Sequence, residues 1–217
     1  MIEAVLFDFD GVIADTMTYH VQAWNLAFSR YNVAIHWLDV CQLEGKMAEE
    51  IGVSLAEQKG LSLKKPELLE LARNKREFYR KVTRATIYPG VEDMLAFLKR
   101  RTKKVALVTG STLPNIIPVV GENFLENFDT IVTGDAVSRT KPDPEPFLKA
   151  SRELHVTPAQ CLVIENAPLG IRAARSAGMY CVAVQTTIED TALLREADLI
   201  VNDLQSVPIE RLLNGRH

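Results

Sequence analysis

The sequence predicts an α/β protein: a doubly wound parallel sheet with a small helical-bundle cap inserted after its first strand. Three observations point there. Six short apolar runs are apolar or β-branched nearly throughout, without alternation, as in strands buried on both faces of a parallel sheet. Helical patterns separate most of them, the order of a doubly wound core. One long stretch after the first run has no strand pattern and many helix formers.

The first strand is expected at 4–9. In the helix-rich stretch, Met17, Val21, Trp24, Phe28 and Tyr31 recur at spacings of four, three, four and three, one face of an amphipathic helix. A second helix is expected near 46–58, ended by Gly60. A third is expected from about 66 to 84, with Pro66 in its first turn. The crossings between cap and sheet fall near 14–15 and 86–89. The expected division is therefore 1–14 with 87–217 as the core and 15–86 as the cap. Helices near 91–101, 113–123, 144–155, 169–177 and 190–195 then alternate with strands at 105–109, 130–133, 161–165, 180–184 and 199–201. The short polar tail after Leu213 is expected to fray.

Composition bounds the function classes. A chain of 217 residues with 47% hydrophobic and 24% charged residues buries a sizeable core. A net charge of -3 gives no general reason to bind nucleic acid or an anionic membrane. The densest basic run, Lys99-Arg100-Arg101 with Lys103-Lys104, reads as a solvated helix C-terminus. No apolar stretch approaches a membrane span, and the opening residues lack the basic leader of an export signal. Cys41, Cys161 and Cys181 have no metal-ligand spacing, and an odd count fits a reducing cytoplasm. A monomer is expected.

Ligands of open α/β sheets bind beyond the carboxyl ends of the strands, so the residues after each run form one set. After the first come Asp8 and Asp10. Two apart on extended chain, their carboxylates share one side and repel unless a positive charge sits between them. Mg²⁺, a hard cation that also takes phosphate oxygens, answers that need. The bland alternative is two acids capping a turn. Thr109-Gly110-Ser111 offers a hydroxyl and backbone N–H groups to a phosphate, or an N-cap at Ser111 or Thr112. Lys141, in Thr140-Lys141-Pro142-Asp143-Pro144, is either a rigidly aimed ammonium or an exposed lysine in a proline-rich turn. Glu165-Asn166 offers oxygens to a metal shell, or a turn before a helix begun by Pro168. Together, in this order, they describe a phosphoryl-transfer site.

These strings resemble the haloacid dehalogenase-like hydrolases, in the branch with a small helical cap. The resemblance rests on Phe7-Asp8-Phe9-Asp10-Gly11-Val12-Ile13, Val108-Thr109-Gly110-Ser111, Lys141-Pro142-Asp143-Pro144 and Val163-Ile164-Glu165-Asn166-Ala167-Pro168-Leu169-Gly170-Ile171. It implies a Rossmann-like core and a Mg²⁺-dependent phosphatase of a small phosphorylated metabolite. By that resemblance Asp8 is the nucleophile and Asp10 the general acid/base. Thr109, Gly110 and Lys141 hold the phosphoryl group. Mg²⁺ is held by Asp8, the Asp10 carbonyl and Asn166, with Glu165 assisting directly or through water. The branch often has Asp where Asn166 stands, so weaker metal binding is expected.

The cap sets the substrate. Tyr19-His20, Ala23-Trp24 and Lys75 resemble β-phosphoglucomutase-like caps, where His20 and Lys75 would serve cap closure and substrate position. The bland readings are a histidine at a helix edge and a solvated lysine. In the loop Gly45-Lys46-Met47-Ala48-Glu49-Glu50, the resemblance puts Ala48 where a mutase arginine grips a second phosphate. Lys46 could replace it only as a point charge. That favours a monophosphate substrate and a phosphatase over a phosphosugar mutase. A signalling receiver domain, which also uses Asp, Thr and Lys, lacks a helical insertion after its first strand.

Overall fold

The structure is a computed structural model and describes residues 1–215. It has six parallel strands, β1 (Ala4–Phe7), β2 (Lys104–Val108), β3 (Thr130–Val132), β4 (Cys161–Glu165), β5 (Tyr180–Val184) and β6 (Leu199–Val201). Their order is β3-β2-β1-β4-β5-β6. The chain winds outward from β1 to β3, then crosses back to β4 and winds the other way. The switch point lies between β1 and β4, where such sheets bind ligands.

Helices α1 (Met17–Phe28), α2 (Trp37–Cys41), α3 (Ala48–Gln58) and α4 (Lys65–Val82) form the cap between β1 and α5 (Val91–Arg100). The remaining helices are α6 (Leu113–Val120), α7 (Glu122–Leu125), α8 (Glu145–Glu153), α9 (Pro168–Ser176), α10 (Thr191–Leu194) and α11 (Ile209–Leu213). Several elements differ from expectation, the short α11 among them. The helix expected over 113–123 carries Pro118 and breaks at Gly121, so α6 and α7 are separate. Helix α2 was not expected: five residues are too few to display a helical period. The first strand also stops at Phe7, which leaves Asp8 to Asp10 free to turn into the site. The end of the polar tail, Arg216 and His217, lies outside the described residues.

The sheet residues alternate between two cores. Leu6, Ala106, Val163 and Ala183 face Phe147 and Ala150 of α8 and Ala173 and Ala174 of α9. Val5, Phe7, Leu107 and Ile164 face Leu95 and Leu98 of α5 and Ile116 of α6. Full burial of each such large side chain stabilises the fold by about 1.5–3 kcal/mol. Within the cap, Met17, Trp24 and Phe28 of α1 are fully buried, and Leu71 and Tyr79 of α4 lie buried with them. The two chain crossings run side by side: Ala14 bridges Ile87, and the Asp15 N–H donates to the Thr86 carbonyl. No helix among the described residues is long and apolar enough to cross a membrane.

Candidate active site

Strand register assembles the site. Phe7 lies level with Leu107 of β2 and Ile164 of β4, so Asp8 emerges beside Val108 and Glu165. The Asp8 N–H donates to the Ile164 carbonyl at 3.0 Å, which fixes its backbone to the neighbouring strand end. Lys141 arrives from the loop after β3 and is 1% exposed, which removes the exposed-lysine reading. Its Nζ donates to Asp8 Oδ1 at 2.5 Å, Glu165 Oε1 at 2.7 Å and the Val108 carbonyl at 2.9 Å. Three acceptors fix the ammonium completely. Burial works against its charge, but the Asp8 and Glu165 carboxylates outweigh it and hold Lys141 protonated.

Glu165 is anchored by the protein. Its Oε1 takes Lys141, and its Oε2 accepts the Asn166 and Ala167 N–H groups at 2.8 and 3.0 Å. Both oxygens are thus engaged at the start of α9. Asn166 stands next to it. Its Nδ2 donates to Thr187 Oγ1 at 2.9 Å, while its Oδ1 is buried with no hydrogen-bond partner. Leaving a buried oxygen unsatisfied costs about 1–3 kcal/mol unless a ligand completes it.

Asp8 is pushed up to about 8, chiefly by burial, with Glu165 and Asp10 adding repulsion that Lys141 only partly offsets. A buried carboxyl short of positive charge and an orphaned amide oxygen are what a hard divalent cation needs. Among the described residues no three His, Cys, Asp or Glu side chains group to hold a metal. The donor set here mixes one carboxylate, an amide and main-chain oxygen. Gly11 closes the other side. At φ +86° it turns the chain, and a Cβ there would stand 2.2 Å from Asn166 Nδ2.

Asp10 faces the cap. Its Oδ1 accepts Thr16 Oγ1 at 2.7 Å and His20 Nε2 at 2.9 Å, and its Oδ2 accepts Ser111 Oγ at 2.8 Å. Burial alone would raise its pKa, but His20, Thr16 and Ser111 together hold it well below the usual carboxylate range. Behind His20, Lys75 Nζ meets Nδ1 at 2.7 Å. Lysine has only donors, so Nδ1 accepts and the proton sits on Nε2, facing Asp10. Burial, then the Lys75 charge, keeps the imidazole neutral by lowering its pKa. The solvated-lysine reading fails: Lys75 is 4% exposed, on the α4 face that carries Leu71 and Tyr79, with its Nζ 5.4 Å from the Trp24 and Tyr79 ring centres.

Thr109 is buried and its Oγ1 accepts the Ser111 N–H at 3.0 Å. Ser111 caps no helix with its side chain; its hydroxyl is spent on Asp10. The cap loop lies directly on this strand end. A Cβ on Gly110 would stand 2.7 Å from the Gly45 carbonyl oxygen. Between cap and core is a cleft with about 20 Å³ of free space, lined by His20, Glu44, Lys46, Lys75, Gly110 and Ser111 among others. That is room for about one water molecule. Lys46 therefore borders the site, half-buried.

Four participants escaped the sequence reading. Thr16 acts through its bond to Asp10, Thr187 through its hydroxyl to Asn166, and Trp37 through its indole N–H to the Thr187 carbonyl at 2.7 Å; isolated hydrogen bonds of this kind leave no spacing signal. Glu44 was legible in principle, as the acidic residue beside Gly45 in the loop expected to meet substrate.

The arrangement matches known proteins. β-Phosphoglucomutase of Bacillus subtilis is 33% identical over 97% of this chain and 93% of its own length. Validoxylamine A 7'-phosphate phosphatase of Streptomyces hygroscopicus subsp. limoneus is 30% identical over 95% of this chain and 96% of its own. The crystal structure of β-phosphoglucomutase from Clostridium difficile superposes with a TM-score of 0.88 at 30% identity, covering 100% of this chain and 97% of that one. The sequence model of the haloacid dehalogenase-like hydrolases matches residues 5–184. A match that takes in every strand end of the site and most of the chain makes this protein a member of the haloacid dehalogenase-like hydrolase family.

Proposed function

We propose that this protein is a Mg²⁺-dependent phosphatase of a small phosphorylated metabolite, a sugar phosphate or similar monoester, working as a cytoplasmic monomer. The observation that carries the reading is the opposite wiring of two carboxyls two residues apart. Asp8 is held by Lys141 at the sheet switch point, while Asp10 is held by Ser111 and the cap. Divergent environments assign different chemical roles to paired acids.

Asp8 is the nucleophile. Its oxygen attacks phosphorus, the ester P–O bond breaks, and the phosphoryl group moves to Asp8 as a phosphoaspartate. The leaving alcohol takes a proton from Asp10. A water then attacks the phosphoaspartate, giving its proton to Asp10 and releasing phosphate. Both Asp10 oxygens are occupied in this structure, so the leaving oxygen has to displace Ser111, Thr16 or His20 to reach it. The incoming phosphoryl charge raises Asp10's affinity for a proton, as the first step requires. Lys141, Thr109 and the Gly110 backbone hold the phosphoryl oxygens. Asp8, the Asp10 carbonyl and Asn166 would hold Mg²⁺, which neutralises phosphoryl charge and keeps Asp8 ionised.

The relatives include a mutase, which hands the phosphoryl group to a sugar hydroxyl instead of water. Ala48 at the start of α3, without a cation of its own, favours hydrolysis. The test is Mg²⁺-dependent phosphate release from a panel of phosphorylated metabolites, with β-glucose 1-phosphate isomerisation to glucose 6-phosphate followed separately. Release from at least one ester, reduced by roughly 10³-fold or more in Asp8→Asn, is expected. Isomerisation without comparable phosphate release would establish the mutase reading instead.

A further inference from the structure

The loop after β5 carries Thr186 and Thr187, which the proposed chemistry does not use. Thr187 is buried and Thr186 half-buried. Both hydroxyls reach back to the switch point. The Thr186 hydroxyl donates to the Gly11 carbonyl, in the turn that follows Asp10. The Thr187 hydroxyl accepts Nδ2 of Asn166 at 2.9 Å. Its methyl lies against Gly11, where a Cβ would stand 2.8 Å from Thr187 Cγ2. One loop therefore braces both uncharged donors of the proposed cation site: the Asn166 amide directly, and the Asp10 carbonyl through the next residue.

A neutral amide makes such bracing necessary. Asn166 is fully buried, and its Oδ1 has no hydrogen-bond partner. When Oδ1 faces a cation, the amide N–H donors are left on the opposite side. The Thr187 hydroxyl is the acceptor found there. Without it a buried donor is stranded, and the penalty falls on cation binding. A carboxylate has no donor to strand.

The loop is held in turn from the cap. The Trp37 indole N–H, at the start of α2, donates to the Thr187 carbonyl at 2.7 Å. Trp37 is 36% exposed, so burial alone does not account for where its ring lies.

We propose that Thr187 is a positioning residue that aims the Asn166 amide oxygen at the cation, and that Trp37 of the cap holds Thr187 in place, so that cation affinity depends on how the cap is seated. The inference rests on Asn166 being a Mg²⁺ ligand, as the phosphatase reading has it. By linkage, the cation favours the seated cap by the same factor as the seated cap favours the cation.

The test is a double-mutant cycle on Mg²⁺ affinity, read by titration calorimetry with no substrate present. Asn166→Ala checks the ligand reading and is expected to weaken binding by roughly tenfold or more. Thr187→Val is expected to weaken it several-fold, the low end of outer-shell effects on metal sites. Thr187→Ser keeps the hydroxyl and should retain the parent affinity. In an Asn166→Asp background, Thr187→Val should change affinity by less than about twofold, the ordinary error of additivity. Trp37→Phe should weaken binding beside Asn166 and lose that effect in the Asn166→Asp background. Unchanged affinity in Asn166→Ala overturns the ligand reading and the inference with it. A loss in Asn166→Ala with none in Thr187→Val overturns the inference and leaves the ligand reading standing. Equal losses from Thr187→Val in both backgrounds show a loop that only supports the fold, and overturn the inference too. A loss in Thr187→Val with none in Trp37→Phe overturns the part assigned to the cap.

Discussion

A carboxamide has a donor side and an acceptor side, and Asn166 uses its position to separate them. Nδ2 is turned to Thr187, and Oδ1 is left bare in the site. An aspartate would need no such orientation, because both of its oxygens serve a cation. The first prediction follows. Thr187→Val removes the acceptor for Nδ2, frees the amide to rotate, and should weaken Mg²⁺ binding several-fold. Asn166→Asp adds a negative charge and should tighten it by about tenfold, the outer-shell and ligand effects being of that order. Titration calorimetry with Mg²⁺ reads both, and equal affinities in all three proteins would sink the assignment of Asn166 as a ligand. Glu44 supplies a second residue-scale prediction. Its pKa is raised to about 8 from an ordinary 4.5, so the folded state holds a proton that the unfolded state releases. That stabilisation is fully present below about 4.5 and is lost as pH rises through 8. Asp10, lowered instead, acts in the opposite sense at acid pH. Comparing Glu44→Gln with the parent therefore isolates one group. The variant's advantage in Tm should grow between pH 5 and 8 without Mg²⁺. A constant difference would show that Glu44 does not titrate in that window.

At the scale of elements, the cap helices reach the chemistry through one line of contacts. Helix α4 carries Lys75, Lys75 fixes the His20 tautomer on α1, and His20 donates to Asp10. His20 also stacks on Tyr79, with ring centres 4.2 Å apart, so the line is held by packing as well as hydrogen bonds. Lys75→Met leaves Nδ1 without its donor and lets the imidazole change tautomer. The expected result is a kcat lower by roughly tenfold, the scale of a misplaced acid/base group. The acidic limb of the pH–rate profile should also move up, because Asp10 loses part of what depresses it. A fall in activity with no movement of that limb would mean the lysine acts only on packing. These elements were unevenly legible. The α1 stripe and the six strands could be read because burial imposes a period on many residues at once. The burial of Lys75 could not: along α4 a lysine between arginines looks solvated, and only the partner helix shows which face turns inward. Helix α2 left no period to read, yet its Trp37 indole donates to the Thr187 carbonyl at 2.7 Å, joining the cap to the residue that orients Asn166.

For the whole molecule, the cap meets the core through polar contacts and through an apolar cluster shared with one sheet face. His20 and Thr16 meet Asp10, Trp37 meets Thr187, Glu50 accepts Thr140 at 2.5 Å, Arg80 reaches Asn115 at 3.4 Å, and the Gly45 loop lies on Gly110 and Lys141. The other sheet face is closed by large apolar side chains of the core alone. The free space in the cleft between cap and core, beside His20 and Ser111, is about 20 Å³, far below what a sugar phosphate occupies. Substrate therefore enters only if the cap swings away, with the paired crossings at 14–15 and 86–87 as the natural hinge. Because the opening breaks a set of hydrogen bonds and part of the apolar cluster shared by the cap and one sheet face, while the core on the other sheet face stays closed, it should cost less than unfolding. Amide hydrogen exchange separates the two. Peptides covering 43–48 and 109–113 should exchange well ahead of those covering β1 and β4, and Mg²⁺ with inorganic phosphate should slow the first pair without changing the second. Exchange of all four at one common rate would mean that the cap opens only when the fold does. Trp37→Phe adds a directional check, since losing the indole N–H removes one cap–core bond. It should speed exchange at 43–48 while leaving β1 and β4 as they were, and the same substitution should weaken Mg²⁺ binding if Trp37 steadies Thr187. Motion of the cap and affinity for the cation would then be two readings of a single joint, the one where α2 touches the loop after β5.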